Sequence, residues 1–187
     1  MLSIFPRNNA IDGVINASSN LKLTFNSSSD PSCKHCPFLR TCQEGISWGA
    51  KNQNDWLEVS FGNDLLYITH YCITGKNSGR RTRGWNVDAK DKQGVLHRID
   101  TVSNGLLSSN YNEIHKIRSH GPFSSFKFTI TDTYQSDSTW YSLTFGIDFF
   151  GILNPEEALM KKMFNKTCRK QNKVFNMVPL LLLNFVM

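Results

Sequence analysis

The sequence predicts an all-β protein, an antiparallel jelly-roll β-sandwich that is followed by a C-terminal helical tail. Aromatic residues make up 12% of the 187 residues and charged residues 19%, a composition that favours a packed core over disorder or a coiled coil. Several short segments alternate apolar and polar residues, as half-buried strands do. Segments rich in turn-forming residues separate them. Roughly eight short strands of this kind are typical of a sandwich.

The apolar alternation locates the strands. In Trp56–Phe61, one face carries Leu57, Val59 and Phe61, and the other carries polar residues and Trp56. The predicted strands are, in chain order, Leu21–Ser27, Trp56–Phe61, Leu65–Thr74, Trp85–Ala89, Val95–Ile99, Phe126–Thr131 and Trp140–Phe150. The residues predicted for the core are Leu57, Val59, Phe61, Phe128, Ile130, Phe145 and Ile147.

The character of the chain changes at Asn154. Asn154-Pro155-Glu156-Glu157 is a helix start, with a capping Asn, Pro at the first helical position and acidic residues near the positive end of the helix dipole. We therefore predict a β domain over residues 3–153 and a basic tail over 154–187 that is helical over 155–170. The tail ends in a short apolar run, Val178–Met187, which is shorter than the ~20 residues that span a bilayer.

The net charge of +6 is unevenly distributed. The tail carries six Lys/Arg against two Glu, and the segment Gly75–Arg83 carries four cations and no acidic residue. This pattern lacks the broad basic stripe of a nucleic-acid-binding protein, so no nucleic-acid partner is expected. No cofactor or nucleophile motif is found, which predicts a noncatalytic protein without cofactors. The N-terminus lacks an apolar signal region, and five cysteines are an odd count, so a cytoplasmic protein with reduced thiols is expected.

Four segments, in order, resemble a known family: Trp56–Phe61 (WLEVSF), Leu65–Thr74 (LLYITHYCIT), Gly84–Val87 (GWNV) with a following Arg-Ile-Asp, and Ile147–Gly151 (IDFFG). Over residues 3–153 the chain resembles the discoidin domain, the factor V/VIII type C domain of the galactose-binding-like superfamily. Within that family it resembles the variant found beside BTB domains in intracellular proteins.

The N-terminal segment IDGVINASSNLKLTFNSSS is similar to that variant, whose members often begin with a short strand and a Ser-rich loop. The chain departs from the family at Leu96, which stands where a second Trp is usual. It also lacks the cysteine near each end of the domain that secreted members carry, because its first is Cys33 and its last, Cys168, lies beyond the domain.

The resemblance implies ligand binding through loops at one end of the sandwich. The loops expected there are Ser28–Cys42 and Gly75–Arg83, where glycines allow main-chain donors to converge and arginines suit carboxylate, phosphate or sulfate. The alternative for Gly75–Arg83 is a solvated basic loop that binds no ligand. The candidate ligand-binding residues are Lys76, Asn77, Arg80, Arg81, Arg83, His35 and Phe38.

Several other residues have both a structural and a functional interpretation. Cys33, Cys36 and Cys42 with His35 could together hold zinc, but a second paired set is lacking, so a Cys-rich surface loop without metal is expected, with a local disulfide as a further alternative. Trp56 and Trp85 are expected to pack, whereas Trp48 and Trp140 lie near strand ends, where a ligand contact is more plausible.

Four histidines and one aspartate are the remaining candidates for a catalytic role. A general base could come from His70, His97, His115 or His120, but no nucleophile pairs with them by spacing, so structural or surface roles are expected. Asp148 is expected to form a hydrogen bond within its strand or to face solvent.

The sequence therefore favours a noncatalytic recognition module that binds a protein, a glycan or an anionic ligand of unknown identity. Two other classes stay open. An enzyme would need a reactive Cys or His in a deep pocket. A peripheral membrane-surface protein would hold anionic lipid weakly with its basic tail and apolar end, without a transmembrane segment.

Overall fold

The computed structural model of the chain describes residues 2–4, 13–17, 20–32, 34–35, 37–38, 48–74, 82–105, 112–118, 121–134, 141–144 and 146–154. The elements in these residues are β1 (Leu2–Ile4), α1 (Val14–Ala17), β2 (Thr24–Ser27), β3 (Trp48–Ala50), β4 (Trp56–Ser60), β5 (Leu66–Thr74), β6 (Thr82–Asp91), β7 (Leu96–Val102), β8 (Asn112–Lys116), β9 (Phe123–Thr133), β10 (Ser142–Thr144) and β11 (Gly146–Leu153). None of the described helices is long and apolar enough to cross a membrane.

The strands form two antiparallel layers. One layer has the strand order β2–β4–β9–β6–β7 and the other has β1–β11–β5–β8. A pairing of Leu66 with Phe123 connects the layers where β5 meets β9, and β3 pairs with β10 in a separate ribbon. The prediction of an antiparallel β-sandwich is confirmed.

Aromatic rings fill the space between the layers. Phe149 of β11 lies 4.5 Å from Phe126 and 6.0 Å from Phe128 of β9, measured between ring centroids. Trp85 of β6 is fully buried and donates its indole N–H to the hydroxyl of Tyr71 in β5 at 2.8 Å. Six of the seven predicted core residues are buried, and the seventh, Phe145, lies outside the described residues.

The predicted strand Trp140–Phe150 is two strands in the structure, β10 and β11. Nearly every described residue of β11 is buried, so its burial does not alternate as the sequence pattern predicts. The reason is that α1 covers part of this strand: the Asp148 carboxylate accepts hydrogen bonds from the backbone N–H groups of Gly13 at 2.8 Å and Ile15 at 3.1 Å.

The short helix α1 begins at Val14, directly after Gly13, whereas the family resemblance implied a strand in this N-terminal segment. A Cβ at Gly13 would lie 2.3 Å from the carbonyl oxygen of Phe149, so the close approach of α1 to β11 requires glycine. In a strand, the backbone N–H groups of Gly13 and Ile15 would pair with a neighbouring strand. Here they donate to the Asp148 carboxylate instead, so they stay paired although they are buried.

The strand registers define two ends of the sandwich. At the first end, named the Arg83 end here, β4 begins at Trp56, β6 begins at Thr82 and β9 ends at Thr133. At the second, named the Asp91 end, β6 ends at Asp91 opposite Phe123, and β11 ends opposite the start of β5. Both loops in which ligand residues were predicted start from strands at the Arg83 end.

Asn154 is bound to the β domain. Its side-chain oxygen accepts a hydrogen bond from Leu65 N at 2.9 Å, and its side-chain amide donates to Asp64 at 2.7 Å. The carbonyl oxygen of Leu65 accepts from Asn154 N at 2.7 Å. These contacts extend the β domain by one residue beyond the predicted boundary. The helix predicted over 155–170 and the rest of the tail lie outside the described residues.

Candidate functional site

Arg83 lies in an irregular stretch at the start of β6. Thr82 pairs with Thr133 and Gly84 pairs with Asp132, so Arg83 is an extra residue between two consecutive pairs. Such bulges occur preferentially next to functional sites, where they change the direction of a side chain. Gly84 makes the bulge possible, because a Cβ there would lie 2.8 Å from the Thr131 hydroxyl.

The Arg83 guanidinium is surrounded by three polar or aromatic side chains. Its Nε lies 3.2 Å from a carboxylate oxygen of Asp132 and donates to the side-chain oxygen of Asn104 at 3.2 Å. Its central carbon lies 5.8 Å from the centroid of the Tyr134 ring, within the range of a cation–π contact. Because the side chains of Arg83 and Asp132 are each 42% exposed, the group forms a polar surface cluster. We refer to Arg83, Asn104, Asp132 and Tyr134 as the Arg83 cluster.

The backbone at Gly105 fixes the cluster to the core. Gly105 N donates to the carbonyl oxygen of Arg83 at 2.8 Å, and the Tyr134 hydroxyl donates to the carbonyl oxygen of Gly105 at 2.7 Å. A Cβ at Gly105 would lie 2.3 Å from the ring of Trp85, so only glycine fits between the cluster and the buried indole. The loop after β7 and the end of β9 are thus held together beside Arg83.

Further hydrogen bonds fix the strand that carries Asp132. Gln53 donates its side-chain amide to the carbonyl oxygen of Thr131 at 2.8 Å, and Thr133 N donates to the Asp132 carboxylate at 2.8 Å. Tyr141 packs nearby, and partial burial, with a smaller effect of the Asp132 charge, raises the pKa of its phenol. The carboxylate at Asp132 is therefore held in one orientation by its own strand and by Arg83.

This arrangement has the chemistry of a hydroxyl-binding surface. Arginine donates only, a carboxylate accepts only, and the Asn104 amide does both, so together they match groups that donate and accept at once. Tyr134 is 39% exposed and offers a rigid aromatic face beside them. A small polar ligand with one apolar face fits such a combination of side chains.

Of the predicted ligand-binding residues, Arg83 is described and belongs to the cluster. Lys76, Asn77, Arg80 and Arg81 lie outside the described residues, so their proposed roles stay predictions. The same holds for Cys33, Cys36, Cys42, Trp140 and His120.

Phe38 and His35 lie where the Ser28–Cys42 segment approaches the core. Phe38 is fully buried, with its ring 5.5 Å from Phe25 and 6.4 Å from Phe149. This burial does not fit the predicted ligand contact at Phe38, because no ring surface is left for a ligand. His35 is half-buried, its ring 6.4 Å from Phe25, and its carbonyl oxygen accepts a hydrogen bond from Phe38 N.

The burial of the described tryptophans differs in part from the prediction that Trp56 and Trp85 pack and that Trp48 is the more plausible ligand contact. Trp48 is fully buried and donates its indole N–H to the carbonyl oxygen of Ser29 at 2.8 Å, so it is a packing residue rather than an exposed ligand platform. Trp85 packs in the core as predicted. Trp56 lies on the outer face of β4, half-buried, with the Lys127 ammonium 4.4 Å from its ring centroid. Leu96, at the position of the family's second Trp, is 51% exposed.

Three of the described histidines, His70, His97 and His115, lie close to separate polar groups. The His70 ring nitrogen lies 3.0 Å from the Thr69 hydroxyl; burial and then the charge of Lys116 lower the pKa of His70. His97 binds Asp91 at 2.8 Å. His115 stacks on Tyr71, with ring centroids 4.8 Å apart, and lies 3.1 Å from Glu113. Asp148 was expected either to form a hydrogen bond or to face solvent, and in the structure it accepts buried hydrogen bonds.

Asn104, Asp132 and Tyr134 were not predicted as site residues. Each is a common surface residue near a strand end, and their convergence depends on the pairing of β6 with β9 and on the loop after β7. A signal was present in the sequence, since Asp132-Thr133-Tyr134 directly follows the predicted strand Phe126–Thr131, whose continuation pairs with the Arg83 segment in the structure. Without knowledge of that strand pairing, the sequence does not indicate that Asp132 and Tyr134 lie beside Arg83.

Comparison with known proteins shows a shared fold. No family model and no curated protein sequence matches the chain. Among solved structures, it is similar to CBM62 from Clostridium thermocellum Xyl5A, with a TM-score of 0.55 and 16% identity over 72% of this chain and 98% of that one. It is also similar to the family 32 carbohydrate-binding module from C. perfringens NanJ in complex with galactose, with a TM-score of 0.52 and 14% identity over 68% of this chain and 93% of that one.

A third similar structure is the CBM32 of AlyQ in complex with 4,5-unsaturated mannuronic acid, with a TM-score of 0.53 and 13% identity over 68% of this chain and 93% of that one. At these identities the likeness shows the fold. It agrees with the antiparallel β-sandwich that the sequence predicted.

Proposed function

We propose that this chain is a noncatalytic glycan-binding module that binds sugar hydroxyls with the Arg83 cluster at one end of its β-sandwich. The observation that carries the proposal is the cluster itself, in which Arg83, Asn104 and Asp132 present donors and acceptors beside the exposed ring of Tyr134. The similar folds of carbohydrate-binding modules, two of them in complex with a sugar, support it.

The chemistry of the cluster suits a sugar better than a simple anion. The positive charge of Arg83 is balanced by Asp132 at 3.2 Å, so an anion gains little from this pair, whereas hydroxyl groups can bind both partners. Tyr134 can pack against the apolar C–H face of a pyranose ring, an arrangement that buries apolar surface without a charged ligand. Neutral sugars are therefore the ligand class that we assign to this end.

The cluster is built in advance of binding. Backbone hydrogen bonds join Gly105 to Arg83 and Tyr134 to Gly105, and the bulge at Arg83 is fixed by the pairing of β6 with β9. A ligand then orders few side chains on binding, and the entropic cost of association is lower.

The experiment is a binding measurement of the full chain on a panel of immobilised neutral glycans, compared with the variants Arg83→Ser and Tyr134→Ala. We expect the wild type to retain at least one glycan, and each variant to bind it about tenfold more weakly, as the loss of a charge-assisted hydrogen bond or a ring contact costs about 1.4 kcal/mol or more. The matched control is Lys22→Ser, which removes an exposed lysine that belongs neither to the cluster nor to the cleft at the Asp91 end.

Unchanged affinity in both cluster variants, with unchanged melting temperatures, would remove the cluster from the site. Absence of any retained glycan would contradict the proposed function as a whole.

Two narrower hypotheses accompany this proposal: the resemblance to the variant found beside BTB domains and a cytoplasmic location. A protein ligand in place of a glycan is a separate hypothesis. Weak contact of the basic tail with anionic lipid is the alternative function, and it rests on residues 154–187, of which only Asn154 is described.

A further inference from the structure

We propose a second ligand site at the Asp91 end, a basic cleft that binds an acidic sugar through its carboxylate or sulfate group. The cleft has a volume of about 520 Å³ and lies between the β6–β7 hairpin, the residues after β8 and the start of β9. Its volume falls within the ~300–1,000 Å³ of ordinary small-molecule sites. It lies at the opposite end of the sandwich from the Arg83 cluster, so the two sites can be occupied independently.

Positive charge is concentrated in the lining of the cleft. Lys92, Arg98 and Arg118 contribute cations, against the single carboxylate of Asp91. Within the part of the chain that the structure describes, neither Lys92 nor Arg118 forms an ion pair, whereas Arg98 is bound to Asp88. Two cations therefore remain available to an anionic group, and arginine binds carboxylate or sulfate with two parallel N–H donors.

The one carboxylate in the lining is already fully engaged. Asp91 accepts hydrogen bonds from Gln93 N and Val95 N, both at 2.9 Å, and its second oxygen lies 2.8 Å from the His97 ring. The bond with His97 is the largest effect on the pKa of Asp91 and lowers it. Desolvation opposes it, and the two weaker backbone bonds add to the lowering, so the pKa of Asp91 lies below its usual value. Its negative charge is directed into the hairpin, where it holds Lys92 and Gln93 in position.

The hairpin is rigid for a second reason. Gly94 adopts φ of +82°, which glycine tolerates, and its N–H donates to the carbonyl oxygen of Asp91 at 3.0 Å. The backbone of Asp91 also donates to Val95 O at 3.0 Å. Since the turn is fixed without a ligand, Lys92 and Gln93 lose little backbone freedom when one binds.

The rest of the lining favours a sugar over a bare anion. Ile99, Pro122 and Phe123 add apolar surface to the cleft, and Gln93 adds an amide that can donate to and accept from hydroxyl groups. A free carboxylate would leave most of this surface unused. An acidic sugar would place its charged group near Lys92 and Arg118 and its ring against the apolar residues.

The test is amide chemical-shift mapping on the ¹⁵N-labelled full chain. The probes are sodium glucuronate, its uncharged methyl ester and sodium acetate, at an ionic strength kept constant with sodium chloride. We expect glucuronate to shift the amides of residues 91–99, Arg118, Gly121 and Phe123. The methyl ester and acetate should each bind at least tenfold more weakly, because one lacks the charge and the other lacks the ring. The double variant Lys92→Ser/Arg118→Ser should weaken glucuronate binding at least tenfold.

The variant Lys51→Ser, which removes an exposed cation outside the cleft and outside the Arg83 cluster, is the matched control and should leave the glucuronate shifts unchanged. Equal shifts with acetate, with the methyl ester or in the double variant would overturn the proposal, as would glucuronate shifts confined to the Arg83 end. Since the cleft and the Arg83 cluster are probed by different ligands and different variants, failure of neutral-glycan binding leaves this result interpretable by itself.

Discussion

Asp148 is a buried carboxylate on the face of β11 that α1 covers, where an unpaired charge would be very unfavourable. It is stabilised by backbone N–H donors from Gly13, Ile15 and its own neighbour Phe149, the last at 2.7 Å. Through these bonds one side chain joins the N-terminal segment to the last strand, 133 to 135 residues apart in the chain. It therefore acts as a structural link.

Replacing Asp148 by Ala should destabilise the protein by about 3 kcal/mol, because two or more charge-assisted hydrogen bonds to buried N–H groups are lost. Asp148→Asn keeps the shape and one carbonyl acceptor, so its cost should be about half. Urea unfolding of both variants measures the difference. Equal stability of Asp148→Ala and the wild type would show that these bonds contribute nothing net.

Gly105 is the residue on which the geometry of the Arg83 cluster depends most. A Cβ at this position would lie 2.3 Å from the Trp85 ring, and the indole has no space to move because it is fully buried. Gly105→Ala should cost roughly 1–3 kcal/mol of stability, the usual range for overpacking. It should also weaken binding of the retained glycan, since Arg83 and Tyr134 are both bonded to this backbone.

The matched control for Gly105→Ala is Gly94→Ala, where a Cβ would meet no atom within 4 Å. That substitution strains the turn because φ is +82°, so it should lower stability without changing affinity for a neutral glycan. A Gly105→Ala protein that binds as tightly as the wild type would show that the cluster does not depend on this close approach.

The turn between β3 and β4 is organised by another carboxylate, Asp55. It accepts hydrogen bonds from Lys51 N at 2.8 Å, from Asn52 N at 3.0 Å and from the Ser28 hydroxyl at 3.0 Å. Partial burial opposes ionisation, but these bonds and that of Ser29 outweigh it, and the pKa of Asp55 lies below the usual 3.8. The turn is thus held by the ionised form.

The sign of the pH dependence follows from this lowered pKa. The stability contributed by ionised Asp55 is present above the unfolded pKa, near 3.8, and is lost as pH falls through the lower folded value. We expect the wild type to lose more stability between pH 5 and pH 2 than Asp55→Asn does, by urea unfolding at each pH. Parallel pH profiles of the two proteins would contradict a role for the ionised carboxylate.

In the molecule as a whole, the β domain closes at Asn154, through three hydrogen bonds to Leu65 and Asp64. We predict that a chain of residues 1–154 unfolds cooperatively with the stability of the full chain. A chain of residues 1–153 should be less stable by about 1–2 kcal/mol, the net value of one or two of these bonds. Calorimetry on the pair measures both. Loss of cooperative unfolding in residues 1–154 would show that the tail is part of the domain.

The sandwich could be predicted from the sequence because alternation and turn residues are local signals. Leu57, Val59 and Phe61 alternate, and all three are buried. The short helix at Val14 and the full burial of β11 could not be predicted, because both result from the contact between Asp148 and Gly13, which no local pattern encodes.

The candidate site could be predicted only in part, because local sequence signals identify single residues and not the long-range contacts between them. Arg83 stood out within a basic segment, but Asn104, Asp132 and Tyr134 join it only through strand pairing and a bulge. Phe38 was expected at the ligand and is instead buried against Phe25, since the chain there turns inward between the layers.

The most direct measurement is a crystal structure of the full chain with the neutral glycan that the panel identifies. The proposed function predicts density for a sugar ring against Tyr134, with its hydroxyl groups within hydrogen-bond distance of Arg83, Asn104 or Asp132. Sugar density elsewhere on the molecule, with this cluster unoccupied, would contradict the assignment of the site to the Arg83 end.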